Sequence, residues 1–265
     1  MKIYVSADIE GITGVTHWDE TELHKEDSKV AREQMTAEVV AACEGALQAG
    51  ATGIWIKDAH DTGRNLIASK LPKEASLIRG WTGHPLMMVQ ELDSSFAAVL
   101  MVGYHSRAGA GTSPLAHTMT GKLAQVSING RYASEFLIHA YAAASLQIPV
   151  AFVSGDKGLC DEVAQLNPHI TSVAVKEGIG EATVNIHPEL ATARIREGVA
   201  KALHGPVAQC QIPLPAHFVV EVSYRDHFNA HLWGFFPGAS HKDATTVRFE
   251  SDSYFEVMRF LLFAA

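Results

Sequence analysis

Short apolar runs alternate along this chain with stretches patterned for helices, and three of the runs end on metal-ligand chemistry. Lys2 to Ala7 passes into Ser6-Ala7-Asp8-Ile9-Glu10-Gly11, Ile54 to Lys57 into Asp58-Ala59-His60, and Phe96 to Val102 into Gly103-Tyr104-His105. Repetition of strand, helix and strand predicts a mostly parallel sheet with helices on its faces. Parallel strands deliver their carboxyl ends to one edge, where ligands bind beside the connecting loops. Asp8, Glu10, His60 and His105 are therefore expected to meet, although they lie far apart in sequence.

The rest of the chain extends the pattern. From Asp27 or Ser28, either a fair N-cap, apolar residues recur at Met35, Val39, Cys43 and Leu47 with helical period until Gly50. The stretch from Asp19 to Lys29 reads as a solvated helix or loop. Ala124 to Ile128 meets the Asn129-Gly130 turn, and Arg131-Tyr132 begins a return strand, read as a small antiparallel excursion on the sheet. A helix over Ser134 to Leu146 and a strand over Val150 to Ser154 follow. Ser172 to Lys176 is another strand, Pro188 to Leu203 a helix, and 205–215 a proline-bearing linker. Beyond it come a strand at Phe218 to Val222, a helix near His227 to Trp233, a β-rich segment at Thr245 to Glu250 and an amphipathic helix from Ser253. The expected fold is α/β, a mostly parallel sheet sandwiched by helices. A metal-binding catalytic domain is expected over 1–184 and a smaller α+β domain over 185–265.

Composition removes several classes of function. A formal charge of -8 argues against a nucleic-acid surface, which needs clustered Lys and Arg to neutralise phosphates. With 47% apolar and 19% charged residues, the chain has the composition of a soluble globular protein. No apolar run approaches the roughly 20 residues of a membrane span. Met1 leads straight into a strand, without the pattern of a signal peptide, and the three cysteines are widely spaced; both features predict a cytoplasmic setting.

Asp8 and Glu10 sit two apart, so extended backbone projects both to one side. Asp58 is placed to orient the His60 imidazole. Glu135 opens the helix after the Asn129-Gly130 turn, where an acidic residue also complements the helix dipole. Taken singly, each of these residues reads as a surface or capping group. Jointly, the carboxylates and imidazoles form a mixed N/O set that suits zinc better than magnesium or calcium, and it is large enough for two ions sharing a carboxylate. Two ions about 3.5 to 4 Å apart would support hydrolysis of an amide, an ester or a phosphoester. The glycine-rich loop Arg107 to Thr118 carries His117, which is either an exposed loop residue or a catalytic proton shuttle or nucleophile. The chain has no His-Glu-x-x-His, no Gly-x-Ser-x-Gly and no P-loop, and Gly109-Ala110-Gly111 lacks the third glycine of a dinucleotide fingerprint. His84, His139, His227 and His231 read as structural or solvent-facing.

With these residues in view, the chain resembles the D-stereospecific aminopeptidases first named for a dipeptide-transport operon, a zinc peptidase family. The resemblance covers nearly the whole chain. It is carried by the three strand endings, His117-Thr118-Met119, Asn129-Gly130 and Thr245-Thr246-Val247. It implies two zinc ions per subunit, with Asp8 bridging, Glu10 and His105 on one ion, His60 and Glu135 on the other, and His117 as the catalytic group. It implies removal of an N-terminal residue, preferably a D-amino acid such as D-Ala, from short peptides or amides. It also implies a homo-oligomeric ring, a decamer with its sites on an inner channel. Ala116 and Thr118 stand where serine is expected and Ser106 where alanine is expected, and these positions are taken to line the substrate side. The sequence does not name the substrate-binding residues. Two rivals use the same ligands: another metal-dependent amidase or phosphoesterase, and a non-catalytic zinc-dependent peptide-binding or transport-accessory protein.

Overall fold

The computed structural model describes residues 1–265. Its larger sheet runs, edge to edge, through Ala75–Ile78 (β3), Gly53–Asp58 (β2), Lys2–Ala7 (β1), Ala98–Tyr104 (β4), Val150–Asp156 (β7), Thr171–Ile179 (β8) and Ala182–Asn185 (β9). Every pairing is parallel except that of β8 with β9. Successive side chains of a strand face opposite ways, so one run feeds two cores. Ile3, Val5, Ile54, Ile56, Leu100 and Val102 pack beneath helices α1 (Ser28–Gln48) and α4 (Pro188–His204). Tyr4, Val99, Met101 and Tyr104 face the opposite core, with α2 (Glu135–Ser145) and the C-terminal helix α6 (Tyr254–Ala264). Cover on both faces is why β4 and β7 are buried at every position.

A second, antiparallel sheet takes the order β11 (Ala239–His241), β12 (Thr246–Ser251), β10 (Phe218–Tyr224), β5 (Leu123–Ile128) and β6 (Arg131–Tyr132). Along β10, Phe218, Val220, Val222 and Tyr224 are buried while the residues between them are half-buried, as expected of a sheet with one solvated face.

Three features differ from the sequence expectations. The β5–β6 hairpin is not an excursion on the parallel sheet: Val126 pairs with Val222 and Ile128 with Val220, because its apolar face completes the second core. Helix α4, assigned to the C-terminal unit, packs on α1 over the first sheet through Ala191, Ile195, Val199 and Ala202. Elements from both sides of residue 185 thus enter both layers. Helix α3 (Lys157–Leu166) follows β7 at once, capped by Asp156, whose Oδ1 accepts from Leu159 N at 2.8 Å.

The ends of β1 and β4 meet backbone to backbone. Asp8 N donates to Val102 O and Gly11 N to Gly103 O, each at 2.8 Å. Gly103 has φ +74, and a Cβ there would overlap the Asp8 carbonyl oxygen; a Cβ on Gly11 would overlap that of Tyr104. Substituting Gly11→Ala should cost about 1–3 kcal/mol in urea unfolding, as overpacking does, and should displace Glu10 from His105. Gly111→Ala, whose Cβ meets nothing within 4 Å, should stay within about 0.5 kcal/mol of wild type. Equal stability of the two variants would show that this contact does not hold the strand ends.

Candidate metal centre

The carboxyl edge of the parallel sheet gathers all six residues singled out by sequence. Asp8 and Glu10 follow β1, His60 follows β2, His105 follows β4, Glu135 is the first residue of α2, and His117 lies on the loop from β4 to β5. Asp8, Glu10, His60, His105 and Glu135 are all buried, and His117 is half-buried. His60 Nδ1 lies 3.3 Å from Asp8 Oδ1 and 3.0 Å from Glu10 Oε2. His105 Nε2 lies 3.5 Å from Asp8 Oδ2 and 3.4 Å from Glu135 Oε2, and His117 Nε2 lies 3.5 Å from Glu135 Oε1. Asp8 therefore turns one oxygen to each of two histidine groups. His60 Nδ1 is nearest Glu10 and His105 Nε2 nearest Glu135, while Asp8, Glu10 and His105 also bring one ligand atom each within 4.8 Å of one another, the grouping expected for one ion.

Each imidazole is tethered by a backbone carbonyl. His60 Nε2 donates to Thr21 O, His105 Nδ1 to Ser106 O and His117 Nδ1 to Leu115 O, each at 2.9 Å. These bonds fix the tautomers, leaving His60 Nδ1, His105 Nε2 and His117 Nε2 directed at the carboxylates. Asp58 does not orient His60 through its ring. Its oxygens accept from Asn65 N, Leu66 N and Asn65 Nδ2, and Asn65 Nδ2 also donates to His60 O, so Asp58 holds the backbone of the loop.

Three buried carboxylates share this space, and their only ion-pair partners are histidines. Burial pushes Asp8 up, and Glu10 beside it pushes further. Burial also opposes ionisation of Glu10 and Glu135, yet the facing imidazoles prevail: Glu10 is held well below the usual range and Glu135 falls to about 2. In return, against the effect of burial, His105 rises to about 10 and His60 well above its usual range. Asp8 Oδ2, Glu10 Oε2 and His105 Nε2 are buried without a hydrogen-bond partner. Unpaired buried charge is costly. Each gap between imidazole and carboxylate takes one positive charge, a proton or a metal ion, and the oxygen-plus-imidazole donors fit zinc.

Above the donors lies a cavity of about 550 Å³ walled by Trp18, Trp81, Met88 and Met119. The His117 ring stacks on His105 with centroids 4.3 Å apart and meets the Trp18 indole in a T-shaped contact with centroids 5.2 Å apart. Thr21, Trp18 and Trp81 escaped the sequence reading: a carbonyl role leaves no residue-type signal, and an indole gains meaning only from its neighbours in space. Ser106 and Thr118 do not line the cavity. Ser106 Oγ donates to Asp156 Oδ1 at 2.5 Å; Thr118 Oγ1 accepts from Ala108 N and donates to Ala133 O, both at 3.0 Å. Both residues fasten the loop that carries His117.

Fold and donor set together define an α/β protein with a buried carboxylate–imidazole cluster whose donors could hold a metal ion. A family model described as D-aminopeptidase matches residues 1–263, and the chain belongs to that peptidase family. It is 34% identical over 177 residues to a D-aminopeptidase of Bacillus subtilis (strain 168), an alignment covering 67% of this chain and 64% of that relative's length. A solved structure of the Zn-dependent D-aminopeptidase DppA from Bacillus subtilis, described as a self-compartmentalizing protease, superposes with a TM-score of 0.94 at 30% identity. That match covers 100% of this chain and 96% of the other.

Cation uptake should release protons, because His105, raised to about 10, still carries its proton at pH 8, where an ordinary imidazole near 6.5 has lost it. Calorimetry of zinc binding at pH 8 in buffers of different ionisation enthalpy should give at least about one proton per subunit, and affinity should fall as pH drops. Binding without proton release would contradict these charge states.

Proposed function

We propose that the chain is a zinc-dependent aminopeptidase that removes the N-terminal residue, preferably a D-amino acid such as D-Ala, from short peptides or amides. The observation that carries the reading is Asp8, buried between His60 with Glu10 on one side and His105 with Glu135 on the other. In this reading two zinc ions would be held per subunit, with Asp8 shared, Glu10 and His105 serving one ion and His60 and Glu135 the other; the approach of Asp8, Glu10 and His105 ligand atoms within 4.8 Å supports the first group. Bound zinc would polarise the scissile carbonyl and lower the pKa of an attacking water.

The chain's own residues supply the remainder. His117, with Nδ1 committed to Leu115 O, exchanges a proton at Nε2 with the attacking group and the departing amine. Glu135 Oε1 accepts from Met119 N at 2.6 Å, which keeps the His117 loop against the donors. Trp81 and Met88 wall the substrate side of the cavity. A homo-oligomeric ring, a decamer working in the cytoplasm, belongs to the same reading. It is supported by the self-compartmentalizing character described for the structural neighbour. No helix is long and apolar enough to cross a membrane.

Zinc-loaded protein should release p-nitroaniline from D-Ala-p-nitroanilide faster than from its L counterpart, should not act on the N-acetylated compound, and should lose activity to a chelator. His117→Ala should keep zinc and lose about 10²- to 10⁴-fold in kcat, whereas His60→Ala should lose zinc as well. Turnover in zinc-free protein, or a fully active His117→Ala, would overturn the assignment.

A further inference from the structure

We infer that the turn at Trp18–Glu20 is a positioning device that ties the metal-ligand side of the site to His117, with Trp18 as the positioning residue for the His117 imidazole. The inference rests on the reading of His60 as a ligand and His117 as the catalytic group.

The turn is a single 3-10 turn closed on itself. Glu20 Oε2 accepts from Thr16 N at 2.6 Å and His17 N at 2.7 Å, and Asp19 N donates to His17 Nδ1 at 3.2 Å. Thr21 is folded back, with its N–H and its hydroxyl each donating to Trp18 O at 2.9 Å. Gly14 N, just before the turn, donates to Asn185 Oδ1 at 2.8 Å, anchoring the loop to β9. Two contacts leave this rigid unit for the site: the Thr21 carbonyl reaches His60 Nε2 at 2.9 Å, and the Trp18 indole reaches the His117 ring at 5.2 Å with planes 67° apart.

His117 is otherwise held by a hydrogen bond from Nδ1 to Leu115 O, by the approach of Nε2 to Glu135 Oε1 at 3.5 Å, and by stacking on His105 with planes 10° apart. The contacts at Nδ1 and Nε2 lie on the ring's edge and set its position, and the stacking on His105 covers one face only. Trp18 adds a second aromatic neighbour, inclined to the ring, that limits its tilt. Trp18 is 40% exposed and belongs to neither hydrophobic core, and an edge-to-face pairing of indole and imidazole is a favourable aromatic geometry. A displacement of about 1 Å at a reacting group can cost about 10²-fold in rate, which gives this contact leverage on turnover without any bond to substrate.

The test uses the zinc-loaded protein and the variants Trp18→Ala, Trp18→Phe and Glu20→Ala, with kcat and KM on D-Ala-p-nitroanilide, zinc per subunit by atomic emission, and the rate of zinc loss to a chelator. Trp18→Ala should lower kcat about 10- to 100-fold while KM and zinc content stay within about twofold, and Trp18→Phe should recover most of the loss by restoring an aromatic edge. Glu20→Ala, which opens the turn, should lower kcat and also speed zinc loss, because the Thr21 carbonyl is released together with Trp18. An unchanged kcat in Trp18→Ala, a change confined to KM, or no recovery in Trp18→Phe would overturn the inference while leaving the functional reading intact. A wild-type protein that holds zinc but turns nothing over would overturn the functional reading first.

Discussion

Three carboxylates, Asp8, Glu10 and Glu135, are buried in one crevice with no Lys or Arg paired to them, and the rest of the structure answers that constraint. Such a cluster is tolerable only if positive charge sits among its members. The fold supplies imidazoles, each tethered by a backbone carbonyl so that one nitrogen faces the acids. The nearby ammonium groups are spent elsewhere: Lys176 Nζ donates to the carbonyls of Glu10 and Val15, and Lys57 Nζ to those of Asp58 and Gly80. Burial lowers both lysines to about 8. They hold the backbone of the ligand-bearing loops and leave the carboxylates open.

The parallel sheet makes the cluster possible and two glycines bring it to working distance. Gly11 and Gly103 let the ends of β1 and β4 pack carbonyl against Cα, so Glu10 and His105 approach from different strands. The segment from His117 to Gly121 and the start of α2 then line the crevice, with Glu135 delivered at the helix start by the Ser134 cap, whose Oγ accepts from Leu137 N at 3.2 Å. Fold and site are thus one arrangement: the same strand ends that terminate the sheet present the donors.

Much of this was legible in the sequence because ligand-type residues at strand ends carry both a period and a chemistry. The apolar runs of β1, β2 and β4, the helical period of α1 and the Asn129-Gly130 turn are local signals and fall where the sequence places them; Asp27 precedes α1, but its side chain makes no capping bond. The losses were non-local. Membership of β5 and β6 in the second sheet depends on pairing with β10, far along the chain; β3, β9 and β11 are too short for alternation to register; and α3 begins on the residue after β7, with no loop to mark it. At the site, residue type marked the candidate donors, whereas the direction of each imidazole, set by the carbonyls of Thr21 and Ser106, has no signal in the sequence.

The account turns on Asp8 serving two ions at once. Diffraction data collected from zinc-loaded crystals on both sides of the zinc absorption edge test this most directly. Two anomalous peaks flanking the Asp8 carboxylate, one beside His60 and one beside His105, are the predicted result; a single peak, or peaks away from this crevice, would contradict it.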